Sequence, residues 1–207
     1  MHREEGKFHP FDQATKDPSL VRFRARLWKA VQEKDVSYLS DVLDDQIRIG
    51  FDDQNGKKAF IQKWNLYSNP KKSKLWTELS QVLNLGGAFS ENSNLQFCAP
   101  YIFNLNDIED PFEQGIILGE GVRLREAPEL NAKIITALNW EKVDLLAQSA
   151  PKKESINGET HYWQKIKTNK DITGFVFGKY LRVPVDYRIC WEKKDEKWKI
   201  ISFLAGD

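Results

Sequence analysis

Between Gly121 and Leu181 the chain breaks into short apolar runs separated by turn residues, and this constrains the fold more than any other feature. The stretch Gly174-Phe175-Val176-Phe177-Gly178-Lys179-Tyr180-Leu181 reads as a strand ending in a tight turn. Before it, Tyr162-Trp163-Gln164-Lys165-Ile166-Lys167 alternates with period two, as a half-buried strand does. Asn169-Lys170-Asp171 is a turn signal, so the two runs predict a hairpin. Upstream, Ile134 to Leu138 and Lys142 to Leu146 are two more short runs, split by Asn139-Trp140-Glu141. The first run is Gly121 to Arg125, followed by Glu126-Ala127-Pro128. Several short strands with turns between them predict a small all-β barrel over residues 116–184.

The flanks have a different grammar. Residues 1–16 are polar and aperiodic and read as a loose arm. Asp17-Pro18 is an N-cap with proline at the first helical position, and Leu20, Phe23, Leu27 and Val31 mark one face of a helix to about Lys34. Asp35 caps a second helix closed by Asp44-Asp45, and Ile47 to Phe51 reads as a strand. Asp52 to Gly56 is a turn with a faint likeness to a calcium loop, but no Glu follows at the EF-hand spacing. A third helix is expected from Lys57 to Tyr67, and a fourth through Leu75, Leu79, Val82 and Leu83, with Gly86-Gly87 beyond its end. Ala88-Phe89 and Leu95 to Phe103 read as a hairpin, with Pro100 at an edge or a bulge. Asn104 to Gln114 is a polar linker. After Pro184 come two more strands, Asp186 to Trp191 and Trp198 to Leu204. The fold class is α+β, with a discontinuous domain at 17–115 and 185–207 around the barrel.

If the strands flanking the barrel pair antiparallel, partner numbers have a constant sum. Residues 187–204 then pair with 95–103, and Tyr101 opposite Tyr187 puts Cys98 opposite Cys190. These are the only cysteines of the 207 residues, too few for a disulfide scaffold and without metal-ligand spacing. They read either as buried thiols or as this one cross-strand pair.

Composition excludes several classes. The net charge is +1, which is no signature for nucleic acid. Residues 121–182 hold 11 Lys and Arg against 7 Asp and Glu, a mild +4 that suits either an anionic partner or an ordinary surface. No run of about eighteen apolar residues codes a transmembrane helix. The first residues lack the apolar core of a secretory leader, so the expectation is either a cytoplasmic protein or a leader upstream of this stretch. No phosphate-binding loop, nucleophile elbow, dinucleotide fingerprint or zinc-helix motif occurs, and no cofactor is expected. His2, His9 and His161 offer no evident acid–base constellation, so no catalytic residue is assigned.

The pieces Val122-Arg123-Leu124-Arg125-Glu126-Ala127-Pro128, Lys142-Val143, Trp163-Gln164-Lys165-Ile166, Gly174-Phe175-Val176 and Tyr180-Leu181 stand in one order. In that order they resemble the bacterial SH3-like (SH3b) domain. Arg123 stands where that family has Asn, Trp140-Glu141 replaces Gly-Asp, and Phe175 replaces Trp. The flanking helices, Ile47-Arg48-Ile49, the helix start at Gly56-Lys57-Lys58 and the closing Lys197-Trp198-Lys199-Ile200 resemble, more loosely, the NTF2-like (cystatin-related) α+β cone. The ending Phe203-Leu204-Ala205-Gly206-Asp207 is similar to that of a family of uncharacterised bacterial SH3 proteins.

Together these resemblances imply an NTF2-like cone with an inserted SH3-like barrel. They imply a non-enzymatic binding protein of the cell envelope, in the periplasm if a leader exists, recognising a peptide or a cell-wall glycan. Exposed aromatics anchor such ligands, so Tyr162, Trp163, Phe175, Phe177 and Tyr180 either line a groove or fill the barrel core. Arg125 matches the family arginine and is expected to bond loop carbonyls. A rival reading is a small-molecule or catalytic cone with the barrel as targeting module. Asp44, Asp45, Arg48 and Glu192 are the nearest residues for its pocket, against a plain surface role. A third reading is a homodimer through the cone's sheet.

Overall fold

The computed structural model describes residues 6–52 and 54–206. His2, the first part of the expected arm, Asp53 of the 52–56 turn and the closing Asp207 lie outside them. The protein is α+β. Its contacts gather into two units. The first is Pro10–Leu105 with the chain from Val185 on; the second is Asn106–Pro184 with residues 6–9.

Helix α1 (Pro18–Glu33) starts where Asp17 accepts hydrogen bonds from the Ser19 and Leu20 N–H groups. It stops at Lys34, which takes the left-handed conformation at φ 56°. Helix α2 (Val36–Val42) is capped by Asp35, which accepts from Tyr38 N–H at 3.0 Å. Asp44 and Asp45, expected to close that helix, lie instead in strand β1 (Leu43–Arg48). β1 ends early because the Asn55 side chain takes the N–H of Ile49 at 2.7 Å and of Gly50 at 3.3 Å. Helix α3 (Lys57–Lys63) is shorter than expected, since Asn65 turns left-handed at φ 54°. Helix α4 (Leu75–Leu83) buries Leu75, Leu79, Val82 and Leu83 as the periodicity implies. Strands β2 (Ala88–Ser90) and β3 (Ser93–Ala99) form the hairpin. Pro100 sits beyond the last residue of β3, which pairs on both sides and is not an edge.

The second unit carries β4 (Gln114–Ile117), β5 (Val122–Arg125), β6 (Ile134–Leu138) and β7 (Lys142–Leu145). It continues with β8 (Lys153–Ile156), β9 (Glu159–Thr168), β10 (Thr173–Phe177) and β11 (Leu181–Arg182). β4 starts inside the expected linker, and β8 was not read as a strand. The hydrogen-bonded order is β11-β4-β7-β9-β10-β5-β6, with β8 beside β9. This corrects the expectation of a closed barrel: β6 and β11 remain edges, and β11 has only two residues and pairs with β4 alone. Leu124, Ile166, Val176 and Ile117 form its core. Trp140 stands at φ 48°, a conformation that favours glycine.

The last strands, β12 (Arg188–Lys194) and β13 (Lys197–Leu204), return to the first unit. They are longer than predicted because Asp195 and Glu196, at φ 46° and 61°, make a two-residue turn. The sheet order is β1-β13-β12-β3-β2, with β1 parallel to β13. β12 pairs with β3 in the expected register, Cys190 opposite Cys98, and the two sulfurs form a disulfide with Cα atoms 4.2 Å apart. The reading as free buried thiols is thereby corrected. Phe60, Phe97, Trp191 and Phe203 are each at most 1% exposed between helices and sheet. Each such ring contributes about 1.5–3 kcal/mol by leaving water.

The stretch expected to be a loose arm is anchored from Phe8 on. Phe8 N–H donates to Trp140 O at 2.6 Å, and Asp12 bridges to Gly87. Phe8 and Ala14 are buried, and that apolar burial offsets the entropy of ordering a polar segment.

Candidate functional site

One groove of about 290 Å³ opens in the β-rich unit. Its floor comes from register. Phe177 on β10 lies opposite Trp163 on β9, so both side chains fall on one face, with ring centroids 5.5 Å apart. Trp163 is 2% exposed. Its indole N–H donates to Glu154 Oε2 on β8 at 2.7 Å. The same oxygen accepts the N–H of Leu130 at 3.1 Å, which ties down the loop between β5 and β6. Arg125 holds that loop from the other side, donating from Nη1 to Ala132 O at 2.6 Å. The role expected of Arg125 is the one observed.

The chain leaves β10 through Gly178, where an added Cβ would lie 2.7 Å from Tyr162 O. This close approach lets the short turn Gly178–Tyr180 carry Lys179 and Tyr180 to the groove. Lys179 is ion-paired with Glu159 at 2.7 Å. That hydrogen bond holds the Glu159 carboxyl below the usual carboxylate range and the Lys179 ammonium above its own. Arg123 is exposed at the rim, and its side chain has no hydrogen-bonded or ionic partner among the described residues. Asn157, on the β8–β9 turn, completes the rim.

The groove brings together three of the five aromatic candidates. Trp163 and Phe177 are its buried floor, and Tyr180, 41% exposed, is its accessible ring. Tyr162 is exposed but lies outside the groove, with the Lys153 ammonium 4.8 Å above its ring. Phe175 is half-buried opposite Arg125 and does not line it either. The candidates for a pocket in the other unit do not converge. Asp45 and Arg48 are exposed on β1, and Glu192 is on β12, with β13 between the two strands. Arg48 donates to Gly50 O and stacks on Phe51 at 4.7 Å, while Glu192 lies 3.3 Å from Lys194. The aromatic core fills the space between that sheet and its helices.

Chemically, the groove offers an aromatic floor, a phenol, an amide and one unpaired guanidinium. The indole N–H is already used by Glu154, so Trp163 offers only its ring. Arg123, Arg125 and Lys179 against Glu120 give the lining a net charge of +2. His161 is 3.6 Å from Glu159 and meets Phe177 edge-on, and both cysteines are in the disulfide. Glu154 and Asn157 were missed in the sequence. The signal for them was there: Asn157-Gly158, at φ 51° and 82°, is a two-residue hairpin turn. No protein-family model matches the chain, and neither a curated protein nor a solved structure matches it.

Proposed function

We propose that the protein is a non-enzymatic binding protein whose β-rich unit is an SH3b-type module recognising a cell-wall-type ligand, glycan or peptide. On this reading the helical unit is an NTF2-like platform. The observation that carries it is the groove: a rigid aromatic floor, an exposed Tyr180 and an unpaired Arg123 on one concave surface. Rigid aromatics bind sugars and peptides at small entropic cost, and a positive rim favours anionic groups on them. The disulfide supports an oxidising compartment, as a cell-envelope protein requires.

The test is co-sedimentation with purified sacculi, with thermal melts of each variant. Tyr180→Ala and Arg123→Ala touch exposed side chains and should leave the melting temperature within a few degrees. Tyr180→Ala should weaken sedimentation by roughly 2 kcal/mol, the loss typical of an aromatic hot spot. Wild type that fails to sediment sinks the cell-wall reading. Undiminished binding by both variants sinks the groove.

A further inference from the structure

Residues 54–77 contain Lys57, Lys58, Lys63, Lys71, Lys72 and Lys74 and not one acidic residue. In a chain of net charge +1, this stretch alone carries +6. Elsewhere cations meet carboxylates: Arg24 lies 2.7 Å from Asp12, Lys193 3.6 Å from Asp17 and Lys194 2.8 Å from Asp44. None of the six has an ion-pair partner among the described residues. Uncompensated like charges repel one another and disfavour the compact state.

The fold gathers several of them. α3 ends at Lys63, Asn65 reverses the chain, and the turn Pro70–Lys72 leads back into α4. Lys63, Lys72 and Lys74 thereby surround a hollow of about 380 Å³, with Asn65, Asn69 and Ser73 between them. Lys34 adds a further ammonium nearby, donating to Lys71 O at 2.7 Å. No carboxylate lines the hollow, and the side-chain amides of Asn65 and Asn69 have no partner among the described residues. Trp64, which also lines it, is 8% exposed and has a buried indole N–H without a hydrogen-bond partner. Buried donors are normally satisfied, which sets this indole apart. The Ser73 hydroxyl already donates to Trp64 O at 2.7 Å and the Lys63 ammonium to Ile49 O at 2.7 Å, so the donors left for a ligand are those of Lys72, Lys74 and the two amides, with the remaining protons of Lys63.

We propose that the hollow between α3 and α4 is a binding site for a phosphate group. A monocarboxylate carries one charge and would leave most of the lysines uncompensated. A phosphate ester brings several oxygens and up to two charges, and lysine ammonium groups suit it as mobile point charges. The group can come from a soluble phosphate chain or from a phospholipid headgroup. The site stands on a different unit from the aromatic groove and does not depend on it.

The experiment uses the whole protein and two probes, at low and at high salt. Sodium tripolyphosphate is titrated calorimetrically, and vesicles of phosphatidic acid, a phosphomonoester, in phosphatidylcholine are used for co-sedimentation. Lys72→Gln/Lys74→Gln removes two exposed ammoniums from the hollow. Lys170→Gln/Lys197→Gln removes the same charge elsewhere. The hollow variant should lose at least about tenfold in affinity, and the control should match wild type. This pattern with tripolyphosphate assigns a soluble phosphate source, and with vesicles a headgroup. No binding to either probe, or equal weakening in both variants, or undiminished binding in the hollow variant, overturns the proposal.

Discussion

At the scale of single residues, Asp17 shows how a local sequence signal becomes tertiary structure. Its Oδ1 accepts from the N–H and the hydroxyl of Ser19, and the Ser19 oxygen accepts from the Trp198 indole at 2.9 Å. The cap therefore joins the start of α1 to β13. Asp17→Ala should cost about 1 kcal/mol in urea titration. The hydrogen bond from the Ser19 hydroxyl holds the Asp17 carboxyl below its ordinary range. A lowered folded pKa stabilises fully above the unfolded value, about 3.9, and this is lost as pH falls through the folded value. Wild type should thus lose more stability than Asp17→Ala between about pH 5 and pH 2; equal losses would contradict this. Trp163 illustrates the limit of single-sequence reading. Alternation puts it on the face opposite Ile166, away from the core that Ile166 and Val176 share, and its burial is completed by Glu154, nine residues upstream. Buried as it is, Trp163→Ala should destabilise the β-rich unit by about 3–5 kcal/mol, so it is no probe of binding.

At the scale of elements, the pairing of β3 with β12 was legible because antiparallel register follows one sum, and one correct pair specifies all others. Its disulfide spans 92 residues, among them the whole of β4 to β11. The chain enters and leaves that insert on paired strands, with Ile117 opposite Leu181. A folded insert thus already holds its own ends together, and the bridge closes a shorter effective loop. Replacing both cysteines by alanine should therefore cost roughly 2–4 kcal/mol, the ordinary range, despite the long separation. Urea titration with and without reductant measures it, and a wild type indifferent to reductant would contradict the account. Elements whose limits depend on left-handed residues were read less well. Asn65 shortens α3, and Asp195-Glu196 lengthens the last hairpin, because the side chains do not announce which residue takes positive φ. β8 was missed although Asn157-Gly158 marks its turn, since its polar residues Lys153-Glu154-Ser155 lack an apolar alternation.

At the scale of the whole molecule, the α+β class and the pairing of β12 with β3 were visible in the order of periodicities, whereas β13, expected beside the same strand, pairs with β12 and β1 instead. The groove was visible only in part. Trp163, Phe177 and Tyr180 stand out as aromatics, but their separation from Tyr162 and Phe175 requires the strand register and the turn at Gly178. Of the basic hollow the sequence shows only the acid-free lysine run of residues 54–77; that Lys63 and Lys74 flank one hollow follows only when α3 and α4 are placed. The central claim is that ligand recognition belongs to the groove. Backbone ¹H–¹⁵N shifts of the labelled protein, titrated with soluble fragments of digested sacculi, test it most directly. The account predicts saturable shifts at Arg123, Asn157, Phe177 and Tyr180, with residues 57–74 unmoved. No shifts in the groove, or shifts confined to the helical unit, would contradict it.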